Sequence, residues 1–191
     1  MNTSNNRRTQ ETNKQIIETV YRLIEEGKKP LNKITIREVC ERAGIHRSTF
    51  YAHYRDIYDV VERVEKTMSV KLTEAFMLQL EEGADAENCF VSLFSFIREH
   101  RRFYRLYLNE TGGAGVIGIC TEMFRDRLEA LYYRELGYES QEEIDYHGSF
   151  ILYGMTAMIR MWVNRDCPES PQQFYQILER QNITQKWMMD W

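Results

Sequence analysis

The chain has 191 residues, 43% of them hydrophobic and 28% charged, with a formal net charge of −4 and four cysteines. That length can bury a sizeable core in one or two domains, and the net acidity alone argues against a nucleic-acid binder. No apolar run approaches the roughly 18 residues that span a bilayer, the start MNTSNNRRTQ is too polar for a leader peptide, and the cysteines show no CxxC or Cys–His metal spacing.

The charge is unevenly spread. Residues 1–66 carry 13 Lys/Arg against 10 Asp/Glu, whereas the remainder carries 12 against 19. Between Lys28 and Arg55 seven basic residues face two acidic ones. A basic head on an acidic body fits a head that meets phosphate. The setting expected for such a chain is the cytoplasm, where Cys40, Cys89, Cys120 and Cys167 stay reduced. Cys40 and Cys120 fall on apolar helical faces and read as core thiols.

In chain order, residues 1–9 read as a loose polar arm, either touching DNA through Arg7 and Arg8 or simply disordered. A first helix is predicted from about Gln10 to Glu26, with Ile16, Ile17, Val20 and Ile24 on one face and Gly27 and Pro30 stopping it. Thr35 then stands at an N-cap with Glu38 three residues on, the pattern of a capping box. Ile36, Val39, Cys40 and Ala43 share a helical face, Gly44 supplies a left-handed stop, and Ile45 plugs the turn. A second short helix starts at His46 or Arg47 with Phe50 and Tyr54 inward. Helix, glycine turn and helix form the pattern whose second helix enters the major groove of DNA.

With the core positions removed, the outward face of that helix holds His46, Arg47, Ser48, Thr49, Tyr51 and His53. Arg47, Ser48 and Thr49 are candidates for base edges. Thr35, Arg37, Tyr51, His53 and Arg55 suit phosphate oxygens. A merely solvated helix face is the competing reading, and the agreement of cap, turn, core spacing and polar face speaks against it.

These residues resemble the DNA-binding domain of TetR/AcrR-type transcriptional regulators. The likeness runs through Thr35-Ile36, Ala43-Gly44-Ile45, Ser48-Thr49-Phe50-Tyr51 and His53-Tyr54 to Asp56, Val60 and Val61, and covers about the first third of the chain. One departure stands out: the family commonly has a phosphate-binding Lys at the start of its fourth helix, where this chain has Ile57, with Arg55 as the candidate substitute.

Beyond it the period stays helical. A long fourth helix is predicted from Ile57 to Leu80, running without a Gly/Pro linker from head to body, with Val60, Val61, Val64, Met68, Leu72, Ala75 and Phe76 inward. Segments Cys89–Glu99, Phe103–Leu108, Val116–Leu136 and Ile144–Arg165 follow, and Ser170-Pro171 opens the last helix. Gly112 to Gly115 lacks the Lys of a phosphate loop and reads as a flexible joint. The fold expected is all-α, with a three-helix helix-turn-helix domain at 1–56 and a helical domain at 57–191.

No catalytic residue, metal site or cofactor is expected. His100 and His147 stand alone, and the pairs Glu81-Glu82 and Glu142-Glu143 read as solvated surface. The body aromatics and methionines support two readings, plain core packing or a pocket for a small effector lined by Phe90, Phe94, Phe103, Tyr107, Phe124, Met155, Met158 and Trp162. The stretch Phe150–Trp162 is apolar nearly all round and needs cover on every side. The resemblance implies dimerisation through the last two long helices, and with that stretch it gives an expected homodimer from residues 141–166 and 171–187, through Phe150, Tyr153, Gly154, Ala157, Met161, Phe174, Ile177 and Leu178. It also implies a palindromic double-stranded DNA operator, an unidentified small-molecule effector, and repression released by that effector. The alternative is a co-regulator of the same fold that acts through a protein partner.

Overall fold

The protein, seen here as a computed structural model, is described over residues 3–27, 29–81, 86–113 and 140–180. Those residues form helices and connecting turns, with no strand among them. The chain divides into two compact units, Met1–Met68 and Ser69–Trp191, and the division falls inside one helix.

The first unit contains α1 (Thr3–Gly27), a 3-10 turn (Leu31–Lys33), α2 (Ile36–Ala43), α3 (Arg47–His53) and the start of α4 (Ile57–Glu81). α1 begins seven residues earlier than the apolar periodicity suggests. The polar segment extends the helix through local bonds: Arg7 pairs with Glu11 at 3.0 Å, and the Thr12 hydroxyl donates to the Arg8 carbonyl. An i,i+4 ion pair such as Arg7–Glu11 adds about 0.2–0.5 kcal/mol to an exposed helix. The core is built from Ile16, Val20 and Leu23 of α1, Leu31 and Ile34 of the connector, Val39 and Cys40 of α2, Phe50 and Tyr54 around α3, and Ile57 and Val60 of α4. Ile57 is thus a core residue. Phe50 is wholly buried, and truncating such a ring typically costs about 3–5 kcal/mol.

In the second unit, α5 (Ala86–Glu99) packs on α8 (Pro171–Arg180), and α6 (Arg101–Thr111) on α7 (Gln141–Asn164). α7 starts at Gln141 rather than Ile144 because Ser140 and Glu143 form a full capping box. The expected cap of α8 is present: the Gln173 N–H donates to the Ser170 hydroxyl at 3.1 Å, and the Gln173 carboxamide accepts the Ser170 N–H. At the other end of α7, Asp166 and Cys167 both have positive φ, 65° and 52°. Each such non-glycine residue stores backbone strain that its surroundings must offset. Arg105 does so by donating twice to the Val163 carbonyl, at 3.0 and 2.8 Å, and once to Asp166 at 3.0 Å, while Arg101 reaches Asp166 at 2.9 Å.

The glycine run after α6 differs from the expected joint in its first half; Gly115 and the predicted helix Val116–Leu136 lie outside the described residues. Gly113 is buried at φ 84°, where an added Cβ would stand 2.6 Å from Thr156 Cγ2 and 2.8 Å from Leu108 Cδ2. It is a point of close approach between α6 and α7. At Gly44, φ is 63° and an added Cβ meets nothing within 4 Å, so only the left-handed backbone opposes a side chain there, at roughly 1–2 kcal/mol. Gly44→Ala is therefore expected to lower unfolding stability by about that amount, and Gly113→Ala by clearly more. Denaturant titrations of both variants check this, and the reverse order would contradict it.

Candidate nucleic-acid interface

The α2–turn–α3 unit is set by its ends. Thr35 Oγ1 accepts the Glu38 N–H at 3.3 Å, while Glu38 Oε2 accepts both the N–H and the hydroxyl of Thr35 at 3.0 Å. The one donor of the Thr35 hydroxyl is thereby committed, and a phosphate contact by Thr35 has to displace it. At the other end of α2, Cys40 O accepts the N–H groups of Gly44 and Ile45, and Gln15 of α1 donates to the Ala43 carbonyl at 2.6 Å. Those bonds close the turn and lock it to α1. Ile45 is the partly buried plug that the sequence implies.

α3 starts at Arg47 with His46 as its N-cap. His46, Arg47 and Ser48 are exposed and Thr49 is half-buried. Tyr51 is 57% exposed with its ring edge-on to Phe50. His53 is half-buried, and its Nδ1 lies 2.5 Å from Asn13 Oδ1 of α1. That contact occupies Nδ1 and leaves Nε2 as the ring nitrogen available to another partner. The outward face predicted for the helix is thus the face presented, with His53 shared between α1 and the surface.

The ion pairs sort the basic residues. Lys29 is 2.7 Å from Glu38, Arg37 is 2.7 Å from Glu41, Arg42 is 2.6 Å from Glu26, and Arg55 is 3.3 Å from both Asp59 and Glu62. By contrast, the side chains of Lys33 and Arg47 make no hydrogen bond or ion pair among the described residues. Lys28 lies outside them. Arg47, at the head of α3, is therefore a cation without a local counter-charge.

The corner between α3 and α4 is held by a carboxylate that sequence reasoning missed. Asp59 is only 4% exposed as a side chain. It accepts the Arg55 N–H at 2.8 Å and two bonds from the Arg63 guanidinium at 3.1 Å, while its own N–H donates to Asp56 at 2.8 Å. Arg63 also covers the ring of buried Tyr54, 5.2 Å from its centroid. The Arg55 backbone N–H first, then the Arg63 guanidinium, hold the Asp59 carboxyl at about 2 against an ordinary 3.8. The Lys29 ammonium, then the Thr35 amide and hydroxyl, hold Glu38 at about 2 against 4.5. Burial pushes the Tyr54 phenol and the Cys40 thiol upward.

In the second unit the aromatics largely pack on one another. Trp162 and Phe174 stack at 4.4 Å, Phe94 meets Phe174 edge-on at 4.9 Å, and Phe90 stacks against Phe94 and Tyr175, each at 6.0 Å. Phe103 and Tyr107 stack at 5.4 Å on α6, Met155 is buried and Met158 half-buried, and Phe124 lies outside the described residues. Tyr146, Phe150, Tyr153 and Met161 are each more than 60% exposed on α7, with Gly154 exposed and Ala157 half-buried beside them. Phe174, expected on that surface, is instead buried against Trp162 because its face of α8 turns to α5 and α7; Ile177 and Leu178 are half-buried. Tyr146 joins the exposed stripe one turn before the stretch the sequence singled out.

The family model for the C-terminal region of TetR-type transcriptional regulators matches residues 84–182, just over half of the chain. This chain belongs to the TetR family of transcriptional regulators. It is also similar to YxbF of Bacillus subtilis (strain 168), an uncharacterized HTH-type transcriptional regulator, with 26% identity over 169 residues. That alignment takes in 83% of this chain but 41% of YxbF, so the chain spans less than half the length of that relative. Two solved structures share the fold. The fatty acid degradation regulator FadR from Bacillus halodurans superposes with a TM-score of 0.58 at 17% identity, over 92% of this chain and 96% of that one. A protein from Syntrophomonas wolfei assigned to the TetR family superposes at 0.60 and 16% identity, over 91% and 94%.

In this TetR-family chain Ile57 at the α3–α4 corner is buried, and the Arg55 side chain is tethered to Asp59. Among the described residues no cluster of His, Cys, Asp or Glu could hold a metal, and no helix is long and apolar enough to cross a membrane. Asn13, Gln15, Asp59 and Arg63 had no signal beyond their polarity, except that Asp56 and Asp59 sit at cap spacing.

The carboxyls of Asp59 and Glu38 titrate lower in the folded state than in the unfolded one. Their contribution is present above pH ~4.5 and is lost as pH falls toward ~2. Asp59→Asn is expected to lower the melting temperature at pH 7 and to flatten its fall between pH 4.5 and 2. Melting curves across that range test this; an unchanged acid limb in the variant would show that Asp59 is not its source.

Proposed function

We propose that this regulator binds a palindromic DNA operator as a two-fold homodimer and acts as a repressor in the cytoplasm. Its head, from the N-terminus to about residue 56, meets DNA; the helical remainder dimerises and takes up a small effector that releases the DNA. The observation that carries the reading is Arg47: an exposed, unpaired guanidinium on the first residue of α3, beside Ser48 and Thr49. A planar fork of donors there suits the N7 and O6 acceptors of guanine. Tyr51, Nε2 of His53, Arg37 and Arg55 are the proposed phosphate contacts. Thr35 is the weakest member of that set, because its hydroxyl already serves the cap.

The stripe Tyr146, Phe150, Tyr153, Ala157 and Met161 supports the dimer, since an apolar helix face of that extent gains by being covered. Two-fold symmetry would set two copies of α3 on half-sites about one DNA turn, roughly 34–36 Å, apart. Because Phe94, Trp162 and Phe174 already fill one another's space, the effector is proposed to lie along Phe103, Tyr107, Met155 and Met158. It is an apolar molecule with few polar groups.

Fluorescence anisotropy on the DNA upstream of the chain's own gene, at two salt concentrations and with non-specific competitor, tests DNA binding. Competitor-resistant, salt-sensitive binding is expected, and Arg47→Ala should weaken it by about 1–3 kcal/mol and relax preference at one base pair. Unchanged affinity in that variant would remove Arg47 from base readout. Absence of salt-dependent binding to any duplex would favour action through a protein partner. Light scattering after size exclusion is expected to give a dimer at micromolar concentration, and Phe150→Asp with Met161→Asp to give a monomer. A dimer undisturbed by both changes would place the interface elsewhere.

A further inference from the structure

The basic residues of the head differ in what their acidic partners do. Glu38 closes the α2 cap, Asp59 is buried in the α3–α4 corner, and Glu26 joins α1 to α2 through Arg42. Glu41 and Glu62 have no comparable structural task. Glu41 is 61% exposed and touches Arg37 one turn away on the same helix; Glu62 is 70% exposed and touches Arg55. Exposed pairs of this kind add little to folding. Yet Arg37 and Arg55 are two of the proposed phosphate contacts.

We propose that Glu41 and Glu62 are internal competitors for Arg37 and Arg55, and that they suppress binding to arbitrary DNA so that discrimination rests on Arg47. The inference depends on the DNA-binding reading above. Non-specific binding is driven almost wholly by release of counterions from phosphates. A guanidinium that already holds a carboxylate exchanges one anion for another when it meets a phosphate, and the liberated carboxylate then lies close to the DNA backbone. On an arbitrary sequence nothing offsets that exchange. At a cognate site the base contacts of Arg47 hold the phosphates in register, and the exchange is driven by the rest of the interface. Described cations of the head without a carboxylate partner, such as Arg47, Lys33, Arg8 and Lys14, then carry the non-specific term.

The test uses the full chain and a random-sequence duplex, so no operator is required. Glu41→Gln, Glu62→Gln and the double variant are compared with wild type by anisotropy between 50 and 200 mM salt. Glu142→Gln, on the first turn of α7 in the second unit, makes an equal change in net charge. Each recovered phosphate contact should steepen the slope of log K against log salt by about 0.9 and tighten binding by about tenfold at 0.1 M salt. Because Arg55 stays bonded to Asp59, Glu62→Gln should show the smaller change of the two single variants, the double variant the largest, and Glu142→Gln little. Head variants that match wild type in affinity and slope would overturn the proposal while leaving the DNA-binding reading intact. Equal tightening by Glu142→Gln would also overturn it, because net charge alone would then explain the effect. No salt-sensitive binding to the duplex by wild type and by every head variant would also overturn the proposal, while the operator titration decides the DNA-binding reading separately.

Discussion

The setting of the exposed helix α3 depends on how one buried carboxylate is satisfied. Asp59 receives the backbone N–H of Arg55 and the forked guanidinium of Arg63, and Arg63 in turn covers Tyr54. A carboxylate in that position without these donors would carry an unmet desolvation cost. The Arg63 bonds are made within α4, so it is the Arg55 N–H, from the segment between α3 and α4, that ties Asp59 to the observed corner. From there the constraint passes along the chain: Tyr54 and Phe50 fill the core, Phe50 keeps the opposite face of α3 outward, and His53 and Asn13 tie the helix to α1. Arg47, Ser48 and Tyr51 stand where they do because the inward half of a seven-residue helix has no freedom left.

The second unit uses a different device. The end of α7 turns through two consecutive residues with positive φ, Asp166 and Cys167, a conformation that side chains oppose. Arg101 and Arg105, one turn apart on α6, hold the turn by its carboxylate and by the Val163 carbonyl near the end of α7. The side chains of Asn109 and Asn164 exchange hydrogen bonds between the same two helices, at 3.0 and 3.2 Å. Polar bonds thus fix one side of the α6–α7 pair, and the Phe94, Trp162 and Phe174 rings fill the junction with α5 and α8. The apolar residues of α7 that these contacts leave over form a continuous exposed stripe.

Net charge proved a poor guide to the head, and so did a simple count of basic residues. Seven cations between Lys28 and Arg55 suggest a strongly positive surface. Among the described ones, Lys29, Arg37, Arg42 and Arg55 sit against carboxylates, several of which come from outside that window. The field that an approaching phosphate meets is set by those pairings as much as by composition.

Local signals were legible in the sequence wherever the physics is local. The Thr35–Glu38 and Ser170–Pro171 caps, the Gly44 stop, the α4 start at Ile57 and the inward Phe50 follow from rules that reach at most one helical turn, and the structure has them. The family likeness was legible for the same reason, since its residues are those of the capped turn. The Ser140–Glu143 cap was equally readable and fixes three residues of α7 that apolar spacing alone leaves out. What tertiary structure decided is which polar groups meet across distance: Asn13 with His53, Gln15 with Ala43, Arg105 with Val163. It also decided that Phe174 turns inward while Phe150 stays out, and that Gly113 is a contact. Each depends on how whole helices are placed, and periodicity shows that a residue lies on an apolar face without showing what that face will meet.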